Sequence, residues 1–116
     1  MEIKIIKARI SRKELSDIAS KQFGDLVKAA VDIEKGIMAL GGELHMDEEV
    51  TLIEQEGSRQ EHVWGVNLYP NKSGDAFVEF DSMINLKPAV GNRSRSVDNI
   101  EIREKIQAVI GKLVSQ

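Results

Sequence analysis

No cysteine occurs anywhere in the 116 residues. That removes disulfides, thiolate metal sites and cysteine nucleophiles together, and it points to a reducing compartment. No apolar run approaches the length of a signal-peptide core or a spanning helix, so the expected address is the cytoplasm and no membrane partner is expected. An excess of positive charge is missing as well. The formal net charge of -3 repels polyanions, which argues against nucleic acid as a partner unless a local basic patch meets it. Glycine-rich phosphate loops, a serine elbow, paired metal-binding histidines and a dinucleotide fingerprint are all lacking, so no motif fixes a reaction. Ser-His-Asp catalysis is not excluded by spacing, but no serine is marked as a nucleophile.

What is present is an ordinary globular balance. Hydrophobic residues make up 41% of the chain and charged residues 30%, at a length that suits one domain, residues 1–116, with no room for a second. Residues 2–10 are rich in isoleucine and read as a partly buried strand whose phase slips at Ile5 and Ile6. Ser11 and Glu14 have capping-box spacing, and Leu15, Ile18, Ala19 and Phe23 form one stripe, so a helix over about 12–22 is expected. Residues 27–33 fit either periodicity. Their β-branched content favours a strand that returns through Glu34, Lys35 and Gly36 into a second strand over 37–40.

Asp47 is expected to cap a short helix ending at Gly57, with Met46, Val50 and Ile53 facing inward. Residues 62–69 and 76–86 read as a hairpin around the turn formers from Pro70 to Gly74. A last helix should begin at Asp98 and end near Val114, with Ile102, Ile106, Val109, Ile110 and Leu113 as its apolar stripe. The fold class is therefore α+β: a single domain with a mostly antiparallel sheet, about three helices on one face, and the order β-α-β-β-α-β-β-α.

Three constellations carry candidate chemistry. In the hairpin, Trp64, Val66 and Leu68 share a face with Val78, Phe80, Ser82, Ile84 and Leu86, expected to be core under the last helix. The opposite face gathers Asn67, Tyr69, Glu79, Asp81 and Asn85, with Gly65 leaving space beside Asp81. The register opposes Asn67 to Glu79 and Leu68 to Val78. Asp and Asn are poor strand formers, so their recurrence suggests a binding face as readily as a solvated one. Glu43, His45 and Asp47 would share one side of an extended backbone, where a His with two carboxylates can hold a divalent metal or act as a base. Asn92, Arg93 and Arg95 form a basic loop before the last helix that suits an anion or a nearby carboxylate.

The segments Gly41-Gly42-Glu43-Leu44-His45, Trp64-Gly65-Val66-Asn67-Leu68-Tyr69-Pro70, Glu79-Phe80-Asp81-Ser82-Met83-Ile84-Asn85 and Asn92-Arg93-Ser94-Arg95 resemble those of a family of small uncharacterised prokaryotic proteins. The resemblance spans nearly the whole chain and implies a single domain of unknown function, with no activity or cofactor to transfer.

Two functional expectations follow. The first is a small domain that binds a polar or anionic ligand, or a protein partner, through Asn67, Tyr69, Glu79, Asp81, Asn85, Asn92, Arg93 and Arg95. The second is a metal-dependent phosphoester hydrolase in which Glu43, His45, Asp47, Glu79 and Asp81 supply ligands or a base and the arginines bind phosphate. It requires those segments to converge. A homo-oligomer is left open.

Overall fold

Residues 2–115 are described by the computed structural model; the single-domain expectation also takes in Met1 and Gln116, which lie outside them. The elements in chain order are β1 (Lys4–Ile6), β2 (Ile10–Ser11), α1 (Arg12–Lys21), β3 (Val27–Asp32), β4 (Ile37–Leu40), α2 (His45–Glu56), β5 (Val63–Leu68), β6 (Val78–Glu79), α3 (Ile100–Leu113) and β7 (Val114–Ser115). Five strands form an antiparallel sheet in the order β1-β4-β3-β5-β6, while β2 and β7 pair in parallel as a separate ribbon. The chain is thus α+β with a mostly antiparallel sheet, and no helix among the described residues is long and apolar enough to cross a membrane.

Local signals explain most of these elements. The capping box forms as its spacing predicts: the Ser11 hydroxyl accepts from the Glu14 amide, and the Glu14 carboxylate accepts from the Ser11 amide. β3 and β4 form the hairpin read from residues 27–40. Gly36, at φ 69°, takes the left-handed turn conformation, and the Asp32 carboxylate ties the amides of Glu34 and Lys35. The slip at Ile5 and Ile6 resolves as a break, because residues 2–10 give two short strands instead of one. α3 starts at Ile100, two residues after the expected start at Asp98. Asn99, not Asp98, is its cap, and its side chain accepts from the amides of Glu101 and Ile102.

The helices occupy both faces of the sheet, not one. On one face, Leu15 and Ala19 of α1 and Ile106, Val109, Ile110 and Leu113 of α3 close over Val27, Ala29, Val31, Met38, Leu40, Trp64, Val66 and Leu68. On the other, Leu52 of α2 packs with Ala30, Ile37, Ala39, Val63 and Ile84. Trp64 and Val66 lie under the last helix as expected. Phe80 is only half-buried at the edge of that core, and Ile84 belongs to the opposite side.

The hairpin keeps its expected register, Asn67 opposite Glu79 and Leu68 opposite Val78, but stops there. In place of a strand to residue 86, the chain leaves the sheet before Asp81 and turns at Met83–Asn85. The cause is the Asn85 side chain. Its Oδ1 accepts from the Gly65 amide at 2.8 Å and its Nδ2 donates to the Gly65 carbonyl at 3.0 Å, so a side-chain amide replaces the next ladder rung.

Candidate functional site

The face of the sheet under α2 is polar in rows set by register. Lys28, Asn67 and Glu79 lie side by side across β3, β5 and β6. The next row toward the sheet centre is Ala39, Ala30 and Gly65, all small, and it lets the start of α2 approach closely. A Cβ on Gly65 would lie 2.5 Å from the Ser82 hydroxyl and 3.1 Å from the His45 ring, so glycine there is a requirement of packing.

α2 meets this face with its polar side, reversing the inward placement expected for Met46, Val50 and Ile53. Those three are exposed, while His45, Glu48, Glu49 and Leu52 are buried. Specific partners make the inversion tolerable. Glu48 accepts from the Gly42 amide at 2.9 Å, and Glu49 lies 3.5 Å from the Lys87 ammonium, with both side chains almost fully buried. Burial pushes the Glu48 carboxyl well above the usual carboxylate range, against the pull of the Gly42 amide. Burial also raises Glu49 and lowers Lys87, each opposed by the attraction of the other. Asp47 is not the cap. Leu44 occupies the N-cap, and among the described residues no side chain caps the helix.

His45 is the first residue of α2 and turns into the protein. Its Nε2–H donates to the Val66 carbonyl at 2.8 Å, which leaves Nδ1 as the unprotonated acceptor of a neutral ring. Burial holds its pKa below the ordinary histidine value, more than the Val66 bond and nearby Asp81 raise it.

A cleft of about 310 Å³ opens beside His45, lined by Lys28, Leu44, His45, Met46, Asn67, Asp81, Ser82, Met83, Ile84 and Arg95. Four residues nominated from sequence thus converge there: His45, Asn67, Asp81 and Arg95. At its mouth Arg95 Nε donates to Asp81 Oδ1 at 2.8 Å, a half-exposed ion pair. Asn67 is buried, and its Nδ2 donates to Glu79 Oε1 at 2.9 Å and to the Asp81 carbonyl at 3.4 Å. Its Oδ1 faces the His45 ring, a side-chain contact that favours the protonated ring against the effect of burial.

The other nominated residues are elsewhere or otherwise engaged. Tyr69 donates to Glu79 Oε1 at 3.1 Å, so both sit one step behind Asn67. Asn85 is consumed by Gly65 and by the Arg95 carbonyl. Asn92 is a buried knot for its loop: it donates to the carbonyls of Asn85, Ser94 and Ser96 and accepts from the Asp98 amide. Arg93 is exposed and makes no hydrogen bond or ion pair among the described residues. Glu43 and Asp47 line a separate groove with Ile3 and Gly42, away from His45. Among the described residues no group of three or more His, Asp or Glu is placed to hold a metal, so the convergence the hydrolase reading requires is not formed.

Sequence reasoning missed Lys28, Ser82 and the apolar rim of Leu44, Met46 and Met83. Lys28 was accessible in principle, since it is the single cation in an apolar strand and alternation places it opposite Val27 and Ala29. Ser82 was assigned to the apolar face because strand alternation was carried past Glu79, where the strand ends.

The fold and this cleft together define a small α+β domain with a two-sided sheet and one polar, cation-bearing recess. The chain belongs to the family described as protein of unknown function (DUF5674), whose model matches residues 4–113. No curated protein and no solved structure matches it.

Proposed function

We propose that the chain is a binding domain, working in the cytoplasm, that holds a small polar or anionic ligand in the cleft between the start of α2 and the segment from Asp81 to Arg95. The observation that carries this reading is the convergence of Lys28, His45, Asn67, Asp81 and Arg95, from five separate stretches of chain, on one recess. Two cations against one carboxylate give the recess a positive balance in a protein whose net charge is negative. His45 is held neutral and positions the helix start through Val66; it adds no charge. Titration of inorganic phosphate and small carboxylates, followed by amide NMR shifts, tests the reading. Shifts should map to Lys28, Leu44, His45, Met46 and Arg95, and Lys28→Ala or Arg95→Ala should weaken binding by roughly 10-fold or more. A panel in which no anion moves those amides sinks it.

A partner chain is the second reading, favoured by the exposed stripe of Met46, Val50 and Ile53 on the outer side of α2. It predicts that Val50→Glu changes the oligomeric state or removes a partner while leaving small-anion binding intact.

A further inference from the structure

β6 is the last strand of the sheet, and the chain covers only part of its outer edge. The Tyr69 amide donates to the Phe77 carbonyl at 2.9 Å, and Asn67 stands opposite Glu79. In an antiparallel pair the residues that alternate with such bonded partners turn their backbone groups the other way, so Val78, Phe80 and the extended Ser82 aim theirs outward. At Ser82 the edge is taken, because its amide donates to the Arg95 carbonyl at 3.0 Å. The chain then leads through Val97 into α3, and the outward groups of Val78 and Phe80 meet no backbone partner among the described residues. Such an open stretch is a template for another strand.

Beside it a groove of about 760 Å³ runs between β6 and α3. Val78 and Phe80 form its floor. Its far wall is one flank of α3, where Ile100, Arg103, Glu104, Gln107 and Ala108 have the spacing of a single helix face. Ile100 is 70% exposed although it is apolar. Arg103 is engaged within the fold: it donates to the Val97 carbonyl and the Ser96 hydroxyl, and its guanidinium lies 4.6 Å from the centre of the Phe80 ring. Asp75 and Glu104 outnumber it, so the groove is negative.

We propose that this edge and groove dock an extended, cationic segment of another protein, which adds to the sheet as a strand beside β6. Its backbone pairs with Val78 and Phe80, an apolar side chain seats on them and against Ile100 and Ala108, and lysines or arginines on either side meet Asp75 and Glu104. A second copy of this chain fits less well, because pairing edge to edge brings two acidic grooves together in a molecule already at net charge -3. The groove shares no lining residue with the cleft beside His45, so the two sites stand or fall separately.

Amide NMR titrations of the full chain test this with three capped pentapeptides: one alternating lysine and valine with lysine at both ends, the same peptide N-methylated at its three inner residues, and a counterpart with glutamate in place of lysine. The lysine peptide should shift the amides of Val78, Phe80, Ile100 and Glu104. N-methylation removes the strand's donors and glutamate reverses its charge, so each should weaken binding roughly 10-fold or more. Glu104→Lys, at an exposed position, should bring the affinities of the lysine and glutamate peptides together. The peptide comparison needs no variant, so a misfolded Glu104→Lys protein leaves the test standing. If the lysine peptide leaves β6 unshifted, or the other two bind as tightly, the proposal is overturned. Concentration-dependent shifts at Val78 and Phe80 without any peptide would overturn it in favour of a second copy.

Discussion

Under α1 and α3 the sheet presents Val27, Ala29, Val31, Trp64, Val66 and Leu68 to apolar helix faces; under α2 it presents Lys28, Asp32, Asn67 and Gly65 to a helix that buries His45, Glu48 and Glu49. On the first side nearly every buried group is hydrocarbon and stability follows from area and packing. On the second, buried polar groups are held by specific partners: Glu48 accepts from the Gly42 amide, Glu49 lies 3.5 Å from the Lys87 ammonium, and Asp32 accepts from the amides of Glu34 and Lys35. Stability on that side therefore depends on each partner staying in place, and removing one leaves the other buried and unpaired.

The sharpest test of the contrast is truncation on the apolar side. Trp64→Ala should cost about 3–5 kcal/mol in urea unfolding, as for other fully buried large side chains, whereas Phe80→Ala at the half-buried edge should cost clearly less. Equal losses would mean that the core extends to the end of the hairpin after all.

On the polar side the expected signature is non-additivity. Lys87→Met strands Glu49 and should cost about 3–5 kcal/mol, while Lys87→Met combined with Glu49→Leu should recover most of that loss, because a buried pair can be replaced by hydrocarbon at little cost. Additive losses would mean that the two residues are not coupled and that each stabilises the fold through contacts outside the pair.

Smaller still is the pH dependence. Glu48 has a folded pKa raised above its unfolded value, so its contribution is present below about pH 4.5 and is lost as pH rises through the folded value. His45 has a lowered folded pKa, so its contribution is present above about pH 6.5 and is lost as pH falls. Denaturant titrations of Glu48→Gln should therefore show the variant gaining on the parent between pH 4 and pH 7. A gap that does not change with pH would place the Glu48 carboxyl in contact with water.

The contrast also explains what the sequence made legible. The capping box at Ser11 and Glu14, the turn at Gly36 and the hairpin register through Asn67 and Glu79 rest on local chemistry or on an apolar face, and all three form as read. Two expectations failed where polar side chains, and not apolar periodicity, set the structure. Met46, Val50 and Ile53 read as an inward stripe because apolar residues normally seek the core, yet the surface awaiting α2 is polar and lined with small residues, and it takes the acidic side. The strand expected to reach residue 86 ends because Asn85 supplies by side chain what alternation assumes from backbone. Asn92 looked like part of an anion loop, and its amide is spent on four backbone partners of its own loop. Side-chain amides that imitate backbone leave no periodicity to read. The candidate site was half legible: His45, Asn67, Asp81 and Arg95 stood out as polar residues in unusual places, while Lys28 needed the sheet order to bring it beside Asn67.

The central claim is that the face under α2 serves binding and the opposite face serves stability. Arg95→Ala tests it most directly, because Arg95 is half exposed and its pair with Asp81 should contribute no more than about 1 kcal/mol. Thermal unfolding and phosphate titration of this one variant, side by side with the parent, should give a melting temperature within a few degrees of the parent and a loss of affinity of roughly 10-fold or more. Unchanged affinity, or a loss of stability comparable with that of Trp64→Ala, would contradict the division of labour between the two faces.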